Sequence, residues 1–187
     1  MNITHSREKL INAVLFFAKN TNFCGKTKLM KLLYFLDFIH FKQMGKPVTD
    51  LEYYAWEQGP VPKVFFVEIN KSLKSDLSSL VSVVQKGNFQ HISPNKDKKP
   101  DLDYFSPREL KILNDLSFIF KDVKSNDISD ISHLPNEPWS KTIKTKGLFE
   151  LIDYILAIDT DAEKKLPVEI AKQRYTERQE MLANFGE

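Results

Sequence analysis

The longest apolar run of the chain lies in residues 26–62, which read KTKLMKLLYFLDFIHFKQMGKPVTDLEYYAWEQGPVP. From Leu29 to Phe41 nearly every residue is apolar or aromatic. The run is too long for a typical strand, and Gly45 and Pro47 follow it as stop signals, so it predicts an α-helix. A helix that is apolar on nearly all sides is normally buried. We therefore expect this helix to lie at the centre of the domain.

Three lysines of this helix, Lys28, Lys31 and Lys42, fall within one narrow sector of a helical projection. Lysine side chains are normally solvated, so we expect this sector to face water. Phe35 and Phe38 lie within or beside the same sector. Their rings are either tucked under a neighbouring element or exposed as part of a partner-binding surface, because exposed aromatic rings surrounded by charge are typical of interfaces.

The other side of the helix carries Asp37 and His40, which are three residues apart and therefore neighbours on one face. In a structural interpretation they pair with each other or bind the backbone of the Gly59-Pro60 turn, because buried polar groups need partners. In a functional interpretation they form an acid–base pair or half of a metal site, with His133 as a third group. We favour the structural role, since the sequence offers neither a nucleophile nor a further ligand set beside them.

The composition bounds the class of protein. A chain of 187 residues suits one domain with a real core, and its net charge of +2 is too small to indicate a polyanionic partner. Arginine is scarce among the basic residues, which weakens a hypothesis of DNA base reading. The single cysteine, Cys24, excludes an internal disulfide and a multi-cysteine metal site. No secretory signal or membrane span is evident, so we expect a soluble, cytoplasmic protein.

The rest of the pattern predicts a mainly α (α+β) fold, in which a compact helical domain surrounds the central helix and a small antiparallel hairpin or sheet is added. Ser106-Pro107-Arg108-Glu109 is a capping box and predicts a helix start. Gly59-Pro60-Val61-Pro62 predicts a rigid strand-to-helix turn. The other predicted elements are helices at 6–19, 63–73 (with Val64, Val67 and Phe65 as its candidate inward residues), 125–132 and 167–185 (with Gly186 as cap), a strand at 51–56, and a hairpin of strands 80–84 and 89–92 with Gly87-Asn88 in its turn.

Two ordered blocks of residues form a wider signature. The first reads Lys28-Leu29-x-Lys31-Leu32-Leu33-Tyr34-Phe35-x-Asp37-x-x-His40-x-x-x-x-Gly45-x-Pro47, followed by Tyr53 and Gly59-Pro60-Val61-Pro62. The second follows the capped helix at Ser106 and reads Ile128-Ser129-Asp130-x-Ser132-His133, then Pro138-Trp139. Together they resemble the signature of the SocA-like antitoxin family, also called the Panacea domain. One departure is Val48-Thr49-Asp50, where the family usually has a glycine after the threonine.

The resemblance implies a bacterial or phage-borne antitoxin that binds a cognate protein toxin and blocks its activity, in at least one branch by delivering it to a protease. We expect residues 1–160 to form this domain and residues 161–187 to form a helical extension packed on it or projecting from it. We expect no cofactor, metal ion or catalytic residue. The candidate toxin-binding residues are Lys31, Phe35, Phe38, Trp56, Glu57 and Gln58. The motif residues with an expected structural role are Lys28, Leu32, Tyr34, Asp37, His40, Gly45, Pro47, Gly59, Pro60, Pro62, Ser129, His133 and Trp139.

Two other functions stay open at this point. Helices followed by a hairpin are typical of a winged helix, so the chain could be a DNA-binding regulator of its own operon. A metal-dependent hydrolase built on Asp37, His40 and His133 is a further alternative. A serine–histidine arrangement at Ser132 and His133 is disfavoured, because adjacent residues of a helix face different directions and no Gly-x-Ser-x-Gly motif is present.

Overall fold

The computed structural model describes residues 4–87, 89–158 and 166–185. In this part of the chain there are eight α-helices, one 3-10 helix and two antiparallel sheets of two strands each, which confirms the predicted mainly α fold. In chain order the elements are α1 (Ser6–Asn20), α2 (Lys26–Met44), β1 (Tyr53–Trp56), β2 (Gly59–Pro62), α3 (Lys63–Lys71), α4 (Ser75–Ser78), β3 (Val81–Lys86), β4 (Phe89–Pro94), α5 (Pro107–Ile119), α6 (Ser125–Ser132), α7 (Pro138–Thr145), the 3-10 helix (Tyr154–Ala157) and α8 (Val168–Phe185).

Helix α2 is the buried axis of the molecule, as its apolar run predicts. It contacts α1, α5, α6, α8, β2 and the 3-10 helix, and both Leu32 and Tyr34 are fully buried. The helix ends at Gly45, whose φ of 72° lies in the left-handed region that glycine adopts without strain. A Cβ at Gly45 would lie 3.2 Å from the Cα of Ala171 in α8. The glycine therefore both ends α2 and allows α8 to pack closely against it.

Strands β1 and β2 form a hairpin with the register Tyr53↔Pro62 to Trp56↔Gly59. The prediction that residues 59–62 form only a turn is therefore wrong, since they are the second strand. Proline is tolerated in an edge strand, because its missing N–H removes only a bond that the ladder does not need. On the other side of β1, the amide of Phe149 donates to the carbonyl of Ala55 at 2.8 Å. Residues 149–152 thus extend this small sheet before the chain enters the 3-10 helix.

Helix α3 presents to the interior a different face from the predicted one. Phe65 and Ile69 are buried, one turn apart, whereas Val64 and Val67 are 71% and 42% exposed. The prediction of an inward Phe65 is confirmed, whereas that of an inward Val64 and Val67 is wrong, because the helix packs through the stripe that begins at Phe65. The predicted hairpin of residues 80–84 and 89–92 is confirmed as β3 and β4, while Asn88 of its turn lies outside the described residues.

The capping box at the start of α5 is confirmed. The Ser106 hydroxyl accepts the amide of Glu109 at 3.3 Å, and the Glu109 carboxylate accepts the amide of Ser106 at 2.7 Å. The other Glu109 oxygen lies 2.7 Å from the Lys9 Nζ in α1. The cap thereby also joins α5 to the first helix.

Helix α8 packs on the end of α2 in the described part of the chain. The ring of Tyr175 lies 5.3 Å from that of Phe41 and 5.7 Å from that of Tyr154. The guanidinium of Arg178 donates to the Asp50 carboxylate at 2.8 Å. The predicted domain boundary at residue 160 and the predicted Gly186 cap both lie outside the described residues. Within the described ranges, no helix is both long and apolar enough to cross a membrane.

The turn that departs from the family signature keeps a glycine-like backbone. Asp50 has a φ of 56°, in the left-handed region that L-residues rarely adopt. Its carboxylate also accepts the hydroxyl of Ser6. Contacts to Ser6 and Arg178 hold the side chain in place, so an aspartate occupies a position that a glycine would take without strain.

Candidate functional site

Asp37 holds the turn that leads from α2 into β1. Its buried carboxylate accepts the amides of Val48 and Thr49 at 2.8 and 2.7 Å, the Thr49 hydroxyl at 2.5 Å and the Tyr53 hydroxyl at 2.8 Å. Burial raises the pKa of this carboxyl to about 6, and the hydrogen bonds from Thr49 and Tyr53 oppose that shift. Asp37 is therefore a structural hub of the first hairpin.

His40 binds the same turn at Lys46, which precedes the residues that Asp37 binds. Its Nδ1 lies 2.7 Å from the carbonyl oxygen of Lys46, and burial lowers the pKa of the imidazole. Neither of the two predicted sets of partners is found. Asp37 and His40 bind residues 46–53 rather than each other or the Gly59-Pro60 backbone, because this turn leaves several backbone groups without partners in secondary structure.

Lys28 and Lys31 do not face water. They are 0% and 1% exposed, so the prediction for these two lysines is wrong, whereas Lys42 is exposed as predicted. The Lys28 ammonium donates to the carbonyl oxygens of Asn22 and Lys121, at 2.7 and 3.2 Å. Long aliphatic stems let both side chains run through the core until the ammonium reaches backbone acceptors.

Lys31 fastens the β1–β2 hairpin to α2. Its Nζ donates to the carbonyl oxygen of Pro60 at 2.9 Å. A Cβ at Gly59 would lie 2.7 Å from this Nζ and 2.9 Å from the Nε2 of His133, so only glycine fits there. Burial lowers the pKa of the Lys31 amine to about 7, and burial together with the Lys31 charge lowers that of His133. The backbone at Gly59 thus packs directly against the side chains of Lys31 and His133.

A second fastening reaches the hairpin from α7. The ring of His133 stacks on that of Trp139, with centroids 4.0 Å apart. The indole Nε1 of Trp139 donates to the carbonyl oxygen of Trp56 at 2.9 Å. The tip of the hairpin is therefore held from beneath by two hydrogen bonds, which gives it a defined position before any partner binds.

An open groove of about 360 Å³ runs beside this hairpin tip. The Trp56 ring lies 5.0 Å from the Phe66 ring and 6.3 Å from the Phe149 ring. Phe149 is 62% exposed although it is a large apolar residue. Its φ of 66° places it in the left-handed region, at the point where the chain joins β1. The groove is lined by Thr27, Met30, Lys31, Trp56, Glu57, Gln58, Val61, Phe66 and Phe149.

The six candidate toxin-binding residues are split between surface and core. Trp56, Glu57 and Gln58 line the groove together, and Lys31 contributes to its floor. Phe35 and Phe38 are buried instead, stacked on Phe120 and Tyr154 at 5.5 and 4.3 Å. The prediction that these two rings could be exposed is wrong, because α5 and the 3-10 helix cover that face of α2.

Sequence reasoning missed two rings of the groove, Phe66 and Phe149. Phe66 lies in helix α3, and the sequence pattern was used there only to decide which of Val64, Phe65 and Val67 face the core. Phe149 stood in a segment without a clear helix or strand pattern, and its outward direction depends on a positive φ that no sequence pattern shows. The only available signal was the aromatic character of both residues, which is more often a sign of core.

The chemical alternatives find little support in the geometry. In the described ranges, no group of three or more His, Cys, Asp and Glu side chains is arranged to hold a metal ion, so Asp37, His40 and His133 are not brought together. The hydroxyl of Ser132 donates to the carbonyl of Ser129 at 2.7 Å rather than to a histidine. Ser129 likewise donates to the carbonyl of Ser125, at 2.9 Å.

All four arginines are engaged within the fold. The Arg7 guanidinium binds Glu68 at 2.7 Å. Arg174 donates to a carbonyl at the end of α2 at 3.0 Å, and Arg108 donates to Gln43 at 3.2 Å. Arg178 holds Asp50. Two of the four, Arg7 and Arg178, are held in ion pairs with carboxylates, which leaves few arginines for base reading.

Fold and groove together define a mainly α domain that carries a preformed surface hairpin. The chain matches the family described as antitoxin SocA-like, Panacea domain, over residues 29–140, which is more than half of its length. The chain therefore belongs to this family, and the resemblance seen in its sequence is confirmed. Searches among curated proteins and among solved structures return no match. Family membership supports an antitoxin role with a toxin as the general partner, and it suggests a role without catalysis.

Proposed function

We propose that this protein is the antitoxin of a toxin–antitoxin pair and that it neutralises its cognate protein toxin by direct binding at the hairpin groove. The observation that carries the proposal is the aromatic cluster of the exposed Phe149 with the half-buried Trp56 and Phe66, beside a hairpin that is already fixed. Apolar patches of this kind on a soluble domain mark binding sites, because exposing them to water is unfavourable. Aromatic residues also supply most binding energy in protein interfaces.

The preformed hairpin favours binding without rearrangement. Lys31 and Trp139 hold the backbone at Pro60 and Trp56, so little conformational entropy is lost when a partner docks on the tip. The two tip residues, Glu57 and Gln58, are exposed and belong to the lining of the groove. They are the positions best placed to distinguish one partner from another.

A growth assay tests the proposal. The product of the reading frame beside this gene is expressed with and without the full chain, and growth is measured. We expect toxicity that the wild-type chain relieves and that Phe149→Ser relieves poorly. The matched control is Phe118→Ser, because Phe118 is 84% exposed and does not line the groove. Equal rescue by both variants would place the contact elsewhere on the surface.

The same experiment separates neutralisation by binding from delivery to a protease. Direct binding leaves the amount of toxin unchanged while growth recovers, whereas delivery lowers the amount of toxin at constant synthesis. We expect a stable complex of the chain and the toxin that co-elutes from a sizing column. A toxin half-life that shortens only when the chain is present would support delivery instead.

A further inference from the structure

The groove has a basic rim at the start of α2. Its N-cap, Gly25, provides no side-chain hydrogen bond, and the first turn contains no acidic residue. Thr27 of this turn lines the groove, and the Lys26 Nζ beside it donates to the amide oxygen of Asn70 at 2.8 Å. The positive end of the helix dipole adds to the charge of Lys26 at this edge.

Helix α3 continues the rim. Lys63, Phe66 and Asn70 recur at helical spacing, so Lys63 lies one turn before the Phe66 ring and Asn70 one turn after it. The Lys63 Nζ lies 5.7 Å from the centroid of the Tyr54 ring. Neither lysine belongs to the groove lining itself, but Lys26 adjoins Thr27 of the lining and Lys63 lies one turn before Phe66.

These rim lysines are not neutralised within the fold. Neither Lys26 nor Lys63 forms an ion pair with a carboxylate in the part of the chain that the structure describes. Burial lowers the pKa of Lys26, and a carboxylate from a partner would stabilise the charged form of this amine. Glu57 is the one acidic side chain of the groove lining.

We propose that the groove binds a segment of a partner protein that carries an apolar or aromatic anchor flanked by aspartate or glutamate. The anchor seats among Trp56, Phe66 and Phe149, and the carboxylates pair with Lys26 and Lys63. This inference rests on the proposed function, because it describes the chemistry of the toxin segment at that same surface. A nucleic acid is disfavoured, since a net charge of +2 with only four arginines offers little to neutralise a continuous phosphate backbone.

The test uses a random peptide library displayed on phage and selected against the purified full chain. We expect enrichment of peptides in which Trp, Phe or Leu is flanked by Asp or Glu. A synthetic copy of an enriched peptide should bind Lys26→Glu/Lys63→Glu about tenfold more weakly and should weaken at raised salt. The matched control is Lys121→Glu/Lys124→Glu, because both lysines are exposed between α5 and α6. It should keep the wild-type affinity.

Several results would overturn the inference. They are an unenriched library, a consensus without acidic residues, unchanged binding by Lys26→Glu/Lys63→Glu, and displacement of the peptide by a polythymidine oligonucleotide. Unchanged binding by Phe149→Ser would place the anchor outside the groove and count equally against it. Peptide binding without rescue of growth would contradict the proposed function instead, so the two failures can be told apart.

Discussion

The amine of Lys31 lies in the core and has a backbone carbonyl, not a carboxylate, as its partner. Removing an ammonium from water without a counterion is unfavourable, so the folded state prefers the neutral amine. The contact to Pro60 is nevertheless kept, because a neutral amine still donates a hydrogen bond. Stability therefore depends on whether this one nitrogen is protonated.

The pH dependence of unfolding tests this arrangement. The pKa of Lys31 is about 7 in the folded state and has its ordinary value of 10.5 in the unfolded state, so the unfolded chain binds the additional proton between these values. Stability should consequently rise from pH 7 to 8.5, by at most about 1.4 kcal/mol per pH unit for one proton. Urea unfolding across this range measures the slope.

The control for this prediction is Lys31→Met, which keeps the apolar stem and removes the titrating group. We expect a flatter profile for this variant over the same range. Parallel profiles for the two proteins would show that Lys31 does not change protonation between pH 7 and 8.5.

Asp37 provides a second test at the level of one residue. Asp37→Asn presents an amide group to donors that the carboxylate accepted, so at least one of Val48, Thr49 and Tyr53 loses its acceptor. We expect a loss of about 1–3 kcal/mol in the free energy of unfolding. Asp115→Asn, at a side chain that is 52% exposed, should change it by less than about 0.5 kcal/mol. Similar urea midpoints for both variants would refute the role of Asp37 as a hub.

The β1–β2 hairpin depends on glycine at one position for two reasons. Gly59 and Gly147 have nearly the same backbone, with φ of 101° and 102°. Gly59→Ala adds an overlap with the Lys31 amine and the His133 ring, whereas a Cβ at Gly147 meets no atom within 4 Å. Gly59→Ala should therefore destabilise the protein by about 1–3 kcal/mol more than Gly147→Ala. Thermal melts of the two variants measure the difference, and equal melting temperatures would mean that the hairpin shifts freely.

The elements that sequence could predict are those set by local rules. The apolar run of α2, the capping box at Ser106 and the turn signal of the second hairpin each identified an element correctly. Strand β2 was missed because Pro60 and Pro62 argue against a strand, and its pairing depends on β1. The burial of Lys31 was not predicted, because a helical projection cannot show that the carbonyl oxygen of Pro60 accepts a hydrogen bond from its amine inside the core. The place of Phe149 in the groove could not be predicted either, since the direction of its side chain depends on a positive φ.

At the scale of the molecule, α8 closes one end of the domain through a buried ion pair. The side chains of Arg178 and Asp50 are only 12% and 7% exposed. Arg178→Met leaves the Asp50 carboxylate buried without its main counterion, which should cost about 3 kcal/mol. Lys172→Met, at an exposed position of the same helix, should cost less than about 1 kcal/mol. Chemical denaturation of both variants provides the comparison.

A double variant separates the charge from the helix contact. Asp50→Gly removes the buried carboxylate and also relieves the φ of 56°. We therefore expect Asp50→Gly/Arg178→Met to recover most of the stability that Arg178→Met loses. If the double variant is less stable than Arg178→Met, the cost of Arg178→Met does not come from an isolated buried carboxylate.

The two hydrogen bonds that hold the hairpin, from Trp139 and Lys31, are both accepted by main-chain oxygen atoms, those of Trp56 and Pro60. Main-chain oxygens are the same whatever residue the gene encodes, so Glu57 and Gln58 can be exchanged without loosening the support. Under the proposed function, one scaffold could therefore be retargeted to a new toxin by a few codon changes at its tip, while the core that carries the tip stays as it is.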